Sequence, residues 1–165
     1  MKSTRFATKC TIAKTFAIAA VTALALGIAP TANAQDKTCS EATLQGTFVY
    51  TSTGFIVAAP VAALVGPSAE VGRVIFDGKG GVTFSFNSSL NGNIGPGTAT
   101  GTYTVNNDDC KGTFTHVAPA TPTSPAFTSN YSFVIDESGD EFQAICQDTG
   151  VVATEVGRRQ FKHDD

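Results

Sequence analysis

The sequence predicts an all-β domain, an antiparallel eight-stranded up-and-down barrel, and three observations lead there. Short segments rich in Val, Ile, Phe, Tyr and Thr recur along the chain between Gly, Asn and Asp clusters. The connections between them are mostly short, which favours antiparallel neighbours over parallel pairs that need long crossovers. No stretch carries a convincing amphipathic helix. Eight strands in a meander can close on themselves and remove the exposed edges that invite aggregation. A β-sandwich is the alternative arrangement.

The chain opens with a secretory leader, expected over residues 1–34. Lys2, Arg5, Lys9 and Lys14 form a positive start, Thr15 to Pro30 is apolar and uncharged, and Ala32-Asn33-Ala34 is a small-x-small cleavage site. The apolar stretch is too short and wrongly flanked for a stable membrane span. A single barrel domain is expected over 35–165, secreted or periplasmic after cleavage at Ala34.

The strands follow in order. Thr43–Thr51 holds Leu44, Phe48 and Tyr50 in one phase; Val71–Asp77 comes next. A turn at Asp77-Gly78-Lys79-Gly80-Gly81 leads into Val82–Asn87, where Val82, Phe84 and Phe86 alternate with Thr83 and Ser85. Thr98–Asn106 carries Tyr103 and Val105, and Lys111–Val117 carries Phe114 and His116. Phe127–Asp136 presents Tyr131, Phe133 and Ile135 on one face, and Glu141–Gln147 presents Phe142, Ala144 and Cys146. Val151–Gln160 closes the series with Val152, Thr154 and Val156. Gly46, Gly72, Gly101 and Gly157 interrupt strand patterns and are expected to mark bulges or bends.

Two segments break the rhythm. Gly54–Glu70 is an apolar insertion containing Pro60 and Pro67, read as a cover for one barrel end or an extension of the first strand. A ligand lid and a partner contact are its alternatives. Ala118–Ala126 is a Pro/Thr/Ser connection with polyproline character.

Charge excludes some partners. The four basic leader residues are among eleven in the chain, so residues 35–165 keep seven against fourteen acidic residues, a net charge of −7. Such a chain lacks the positive footprint that nucleic acid or an anionic membrane surface requires.

Cys39, Cys110 and Cys146 remain after the leader, and three cysteines cannot all pair within one chain. Cys39 and Cys110 fall at strand rims and are the favoured pair, with Cys146 inside a strand as a small core residue. The two other pairings stay open at this point.

Chemistry-bearing motifs are sparse. His116 is the histidine expected to be ordered, since His163 lies in the tail beyond the last strand. No G-x-S-x-G turn is present, and no catalytic residue is identified. The acidic run Asp136–Glu141 lacks the alternating ligand order of a calcium loop, and the histidine and cysteine spacings fit no zinc site, so neither metal nor cofactor is expected. Arg73 shares a phase with Val71 and Ile75, and either points outward or projects into the lumen, where it would need an anionic partner.

A small eight-stranded barrel is either filled by side chains or holds one small ligand. The leading expectation is a barrel binding a small apolar molecule, lined by Tyr50, Arg73, Phe84, Phe86, Tyr103, His116, Tyr131 and Phe133. A barrel cyclase or isomerase is the second reading, and a cell-envelope interaction module using the 54–70 segment is the third. A roomy lumen favours the first, polar groups inside it the second, and a filled lumen the third.

The pattern Thr38-Cys39-Ser40-Glu41-Ala42-Thr43-Leu44-Gln45-Gly46-Thr47-Phe48 resembles the opening of a family of small exported bacterial proteins. The resemblance continues through Gly72–Gly80, Gly101–Asn106, Asp109-Cys110-Lys111-Gly112-Thr113 and Gly150–Gln160. It implies export, a single β domain and a disulfide between Cys39 and Cys110, and it transfers no catalytic residue. Cys146 and the apolar insertion depart from the pattern. In architecture alone, the strand pattern is similar to lipocalin-like and allene-oxide-cyclase-like barrels, which is a weak warrant for function.

Overall fold

The computed structural model describes residues 38–58, 64–120 and 126–161. The leader and the tail with His163 lie outside them, as do parts of the 54–70 and 118–126 segments. The strands are β1 (Gly46–Ile56), β2 (Gly66–Phe76), β3 (Gly81–Leu90), β4 (Asn93–Val105), β5 (Lys111–Ala118), β6 (Phe127–Ile135), β7 (Glu141–Cys146) and β8 (Val151–Arg159). They form one closed antiparallel barrel in sequence order. β1 pairs with β2 on one side and with β8 on the other, so the sheet has no free edge and the sandwich is excluded. Among the described residues no helix is long and apolar enough to cross a membrane.

Local chemistry sets the turns. Asp77 Oδ1 accepts the amides of Lys79 at 2.7 Å and Gly81 at 2.8 Å, closing the β2–β3 turn. Asp136 does the same between β6 and β7, accepting Glu141 N at 2.8 Å and the Ser138 hydroxyl at 2.5 Å. The acidic run there is thus occupied in shaping a turn, and among the described residues no group of three or more His, Cys, Asp or Glu could hold a metal ion.

The 54–70 segment is mostly sheet. β1 continues to Ile56 and β2 begins at Gly66, with Gly54 opposite Ser68 and Ser52 opposite Glu70. Extension of the strands is what the structure shows, and it turns Glu70 from a loop residue into a wall residue. The expected bulges at Gly72 and Gly157 do not occur, since both ladders run unbroken through them. At Gly101 a Cβ would lie 1.9 Å from the Thr115 carbonyl oxygen. Nearby, the Thr115 hydroxyl stands in for a backbone acceptor, taking Thr102 N at 2.9 Å.

The two ends of the barrel differ. At one end a 3-10 helix, Glu41–Leu44, lies across the base and buries Leu44 completely. Cys39 is joined to Cys110 with Cα atoms 5.2 Å apart, pinning this segment to the β4–β5 turn. Tyr103 donates its hydroxyl to Glu41 O at 2.8 Å. Arg159, at the end of β8, stacks on Phe48 at 4.6 Å and donates to the carbonyls of Thr43, Gln45 and Gly139. Above this plug the lumen is solid with rings. Phe48 meets Phe76 edge-on at 5.6 Å, Phe76 meets Tyr103 at 4.9 Å, and Phe142 packs on both Phe48 and Phe76 at 5.7 Å. Each such pair contributes about 0.5–1.5 kcal/mol beyond the apolar area it buries.

Candidate functional site

Halfway up the lumen the lining changes character. Six ionisable side chains point inward from six consecutive strands: His116 on β5, Tyr131 on β6, Cys146 on β7, Glu155 on β8, Tyr50 on β1 and Glu70 on β2. β3 and β4 contribute no charge here, only the rings of Phe84 and Phe86 and the small Gly97 and Ala99.

Register places the two carboxylates together. Ser52 on β1 pairs with Glu70 on one side and Glu155 on the other. Strand spacing then puts their Cα atoms roughly 10 Å apart on the same face of the wall. Tyr50, one inward position below Ser52, is flanked by Gly72 and Gly157, neither of which has a side chain to crowd its ring. Its hydroxyl donates to Glu70 Oε1 at 2.5 Å. Tyr131 stacks on Phe114 at 4.8 Å and pairs across the ladder with Cys146. His116 sits among Phe84 at 4.7 Å, Phe86 at 5.3 Å and Phe127 at 5.7 Å.

Above this layer the inward positions are small. They are Ser52 and Gly54 on β1, Ser68 on β2, Ser88 on β3, Gly95 on β4, Ala118 on β5, Ser129 on β6 and Ala153 on β8. Ile56, Leu90, Phe127 and Val151 form the rim. The lumen is therefore packed below the ionisable layer and lined by short side chains above it.

Two polar atoms in the layer are buried without a partner: Glu155 Oε1 and His116 Nε2. Glu155 is 4% exposed. Burial pushes its carboxyl well above the usual range, and the neighbouring Glu70 pushes it further. Burial also raises Glu70 to about 7, against the opposing pull of the Tyr50 hydroxyl. Burial lowers His116 to about 4, so its imidazole is neutral. Tyr50 and Tyr131 are both pushed up by burial and by the carboxylates, and burial raises the Cys146 thiol.

These shifts have a sign. Glu70 and Glu155 hold protons more tightly in the folded chain, so their contribution to stability is full below the ordinary value of 4.5 and falls as pH rises through about 7 for Glu70. His116 acts oppositely, its contribution being full above 6.5 and lost as pH falls through about 4. Glu155→Gln, which cannot ionise and keeps the shape, is expected to raise stability at pH 8 by about 1–3 kcal/mol, because the unfolded glutamate gives up there a proton that the buried one holds more tightly. The gain should shrink toward pH 5, where Glu155 is already protonated. Urea unfolding of both proteins at the two pH values reads this directly; an equal difference at both, or a loss, would show that Glu155 is not a titrating buried acid.

The sequence-derived lining divides three ways. Tyr50, His116 and Tyr131 lie in the ionisable layer, with Phe84 and Phe86 as its apolar wall. Tyr103 and Phe133 are buried in the ring-filled lower half. Arg73 is exposed on the outer face between Val71 and Ile75, which corrects its inclusion in the lining: Val74 and Phe76 take the inward phase of β2. Sequence reasoning missed Glu70 and Glu155. β8 was read through Val152, Thr154 and Val156, yet Val152 is 62% exposed and the inward set is Ala153, Glu155 and Gly157.

Outside the barrel, a shallow groove of about 800 Å³ crosses β4–β8, with Val134, Ile145 and Val156 among its lining. Its charged pair, Asp109 and Lys111, is exposed and internally satisfied at 2.9 Å. No chemistry converges there. No protein-family model, no curated protein and no solved structure matches the chain.

Proposed function

We propose that this protein is exported and carries one small, mostly apolar molecule in the open half of its barrel. One observation carries the reading: every inward position above the Glu155 layer and below the rim is Ser, Gly or Ala, whereas those beneath it are dominated by aromatic rings. Short side chains at a barrel mouth leave room that a ligand fills, and eight strands enclose about enough width for one such molecule. The polarity of the wall also supports a lumenal site. Most rings face inward, while the outer face intersperses exposed Val and Ile with Thr, Ser and charged residues, unlike the apolar outer band of a barrel embedded in lipid. The Cys39–Cys110 bond supports an oxidising compartment, in keeping with the leader pattern and the resemblance to exported bacterial proteins.

Native mass spectrometry of the protein purified from its own host, compared with its denatured mass, tests this. Extra mass lost on denaturation is the expected result. Identical masses, two daltons below the fully reduced value, would report the disulfide with an empty barrel and count against a carried ligand.

A second reading, acid–base chemistry of cyclase or isomerase type, draws on the paired carboxyls, of which Glu70 is poised near neutrality. It requires the molecule recovered after prolonged incubation to be an isomer of the one first bound. Recovery of the unchanged molecule would leave binding alone.

A further inference from the structure

We propose that the ionisable layer is a receptor for an organic ammonium group: a primary amine on an apolar body about the size of one ring. The –NH3⁺ sits between Glu155 and Glu70, and the body occupies the space lined by small residues above. The proposal rests on the lumenal-binding reading and names its ligand class.

Three features carry it. The first is an unmatched acceptor. Glu155 Oε1 is buried with no partner, and the second carboxylate of the rung, Glu70, faces the same space. Among the described residues no cation faces them: Arg73, Lys79, Lys111 and Arg158 are exposed, and Arg159 is engaged in the base. An inward-facing acidic pair, one member buried and the other partly so, with no cation of its own is matched by a ligand that brings one.

The second is the aromatic surround. Tyr50, Phe84, Phe86 and Tyr131 close around the layer, and ring faces attract a desolvated ammonium. The third is selectivity by shape and charge. The packed rings beneath stop the head group at the level of the carboxylates, while the short side chains above accept an apolar body. A ligand carboxylate would meet like charge at the same place.

Binding then moves a proton. The amine arrives protonated, the layer holds at least one neutral carboxyl, and forming the ion pair expels that proton to solvent. No bond in the ligand is broken. The groups that share this balance are Tyr50 on β1, Glu70 on β2, His116 on β5, Tyr131 on β6, Cys146 on β7 with Asp148 beyond it, and Glu155 on β8. β3 and β4 add none at this level.

The test is calorimetric titration of the purified protein with 2-phenylethylamine, 2-phenylethanol and 3-phenylpropionate at pH 6 and pH 8, in buffers of different ionisation enthalpy. The amine is expected to bind about tenfold or more tightly than the alcohol at pH 8 and to tighten from pH 6, by up to about tenfold per pH unit where a full proton is released. The carboxylate should be the weakest. Glu155→Gln should weaken the amine about tenfold or more and leave the alcohol within about twofold, and Glu70→Gln should do likewise. Equal affinity for amine and alcohol, no proton release, or an unchanged amine affinity in Glu155→Gln would overturn the ammonium assignment while leaving lumenal binding in place. No binding by any of the three probes overturns the ammonium assignment; if host-purified protein also carries no extra mass, the lumenal reading falls with it.

Discussion

Replacing Arg159 by methionine is expected to remove about 3–5 kcal/mol of folding stability. The side chain is 9% exposed and reaches three backbone carbonyls, those of Gln45 at 2.6 Å, Gly139 at 2.7 Å and Thr43 at 2.9 Å. Its ion pair with Asp140, at 3.0 Å, is the lesser part, because Asp140 is 43% exposed and water screens it. The carbonyls decide the magnitude. Methionine fills much of the volume over Phe48 but donates nothing, so all three acceptors lose their partner together. Lysine is expected to recover little, since one ammonium cannot span three acceptors arranged for a planar fork. Equilibrium urea unfolding measures the loss; a change below about 1 kcal/mol would show that solvent replaces the guanidinium without cost.

The second large effect is expected from opening the disulfide. The double variant Cys39→Ser, Cys110→Ser is expected to lose about 4 kcal/mol, because the bond joins positions separated by 71 residues and constrains a long loop of the unfolded chain. Urea unfolding of the variant against the oxidised parent gives the number. Combined with Arg159→Met the two losses should fall short of their sum. Both act on the same short segment, Cys39–Gln45, and once that segment has left the base, removing its second tether removes little more. Strict additivity would mean that the base is held in two independent pieces.

The barrel was legible in the sequence because alternation and turn chemistry agreed. Asp77-Gly78 and Asp136–Glu141 end strands by mechanisms that can be read from residue type, and the alternation that singles out Phe84 and Phe86 or Tyr131 and Phe133 coincides with the inward phase. The site was half legible. Tyr50, His116 and Tyr131 follow from aromatic phase. Glu155 does not, because β8 offers two phases and the more apolar one faces out. Valines on the outer wall satisfy the strand's preference for β-branched residues, while the inward positions of β8 beside Glu155 are the short Ala153 and Gly157, so hydrophobicity points the wrong way. Glu70 was hidden for a different reason. Pro60 and Pro67 make the 54–70 segment read as loop, yet Pro67 stands at the second residue of β2, near a strand end where proline is tolerated. Arg73 shows the converse: an odd residue among Val and Ile drew attention inward, but the apolar neighbours in its phase are the exposed ones.

Closure of the sheet by β8 against β1 also fixes how the domain can be held. Phe48 pairs with Arg159, and Cys39 is tied to the turn beside the base, so both described ends of the chain, Thr38 and Phe161, emerge at the sealed pole. A fluorophore or an immobilising handle attached at Thr38 or Phe161 therefore sits at the opposite pole from the β1–β2 connection, and a protein tethered there presents that pole outward.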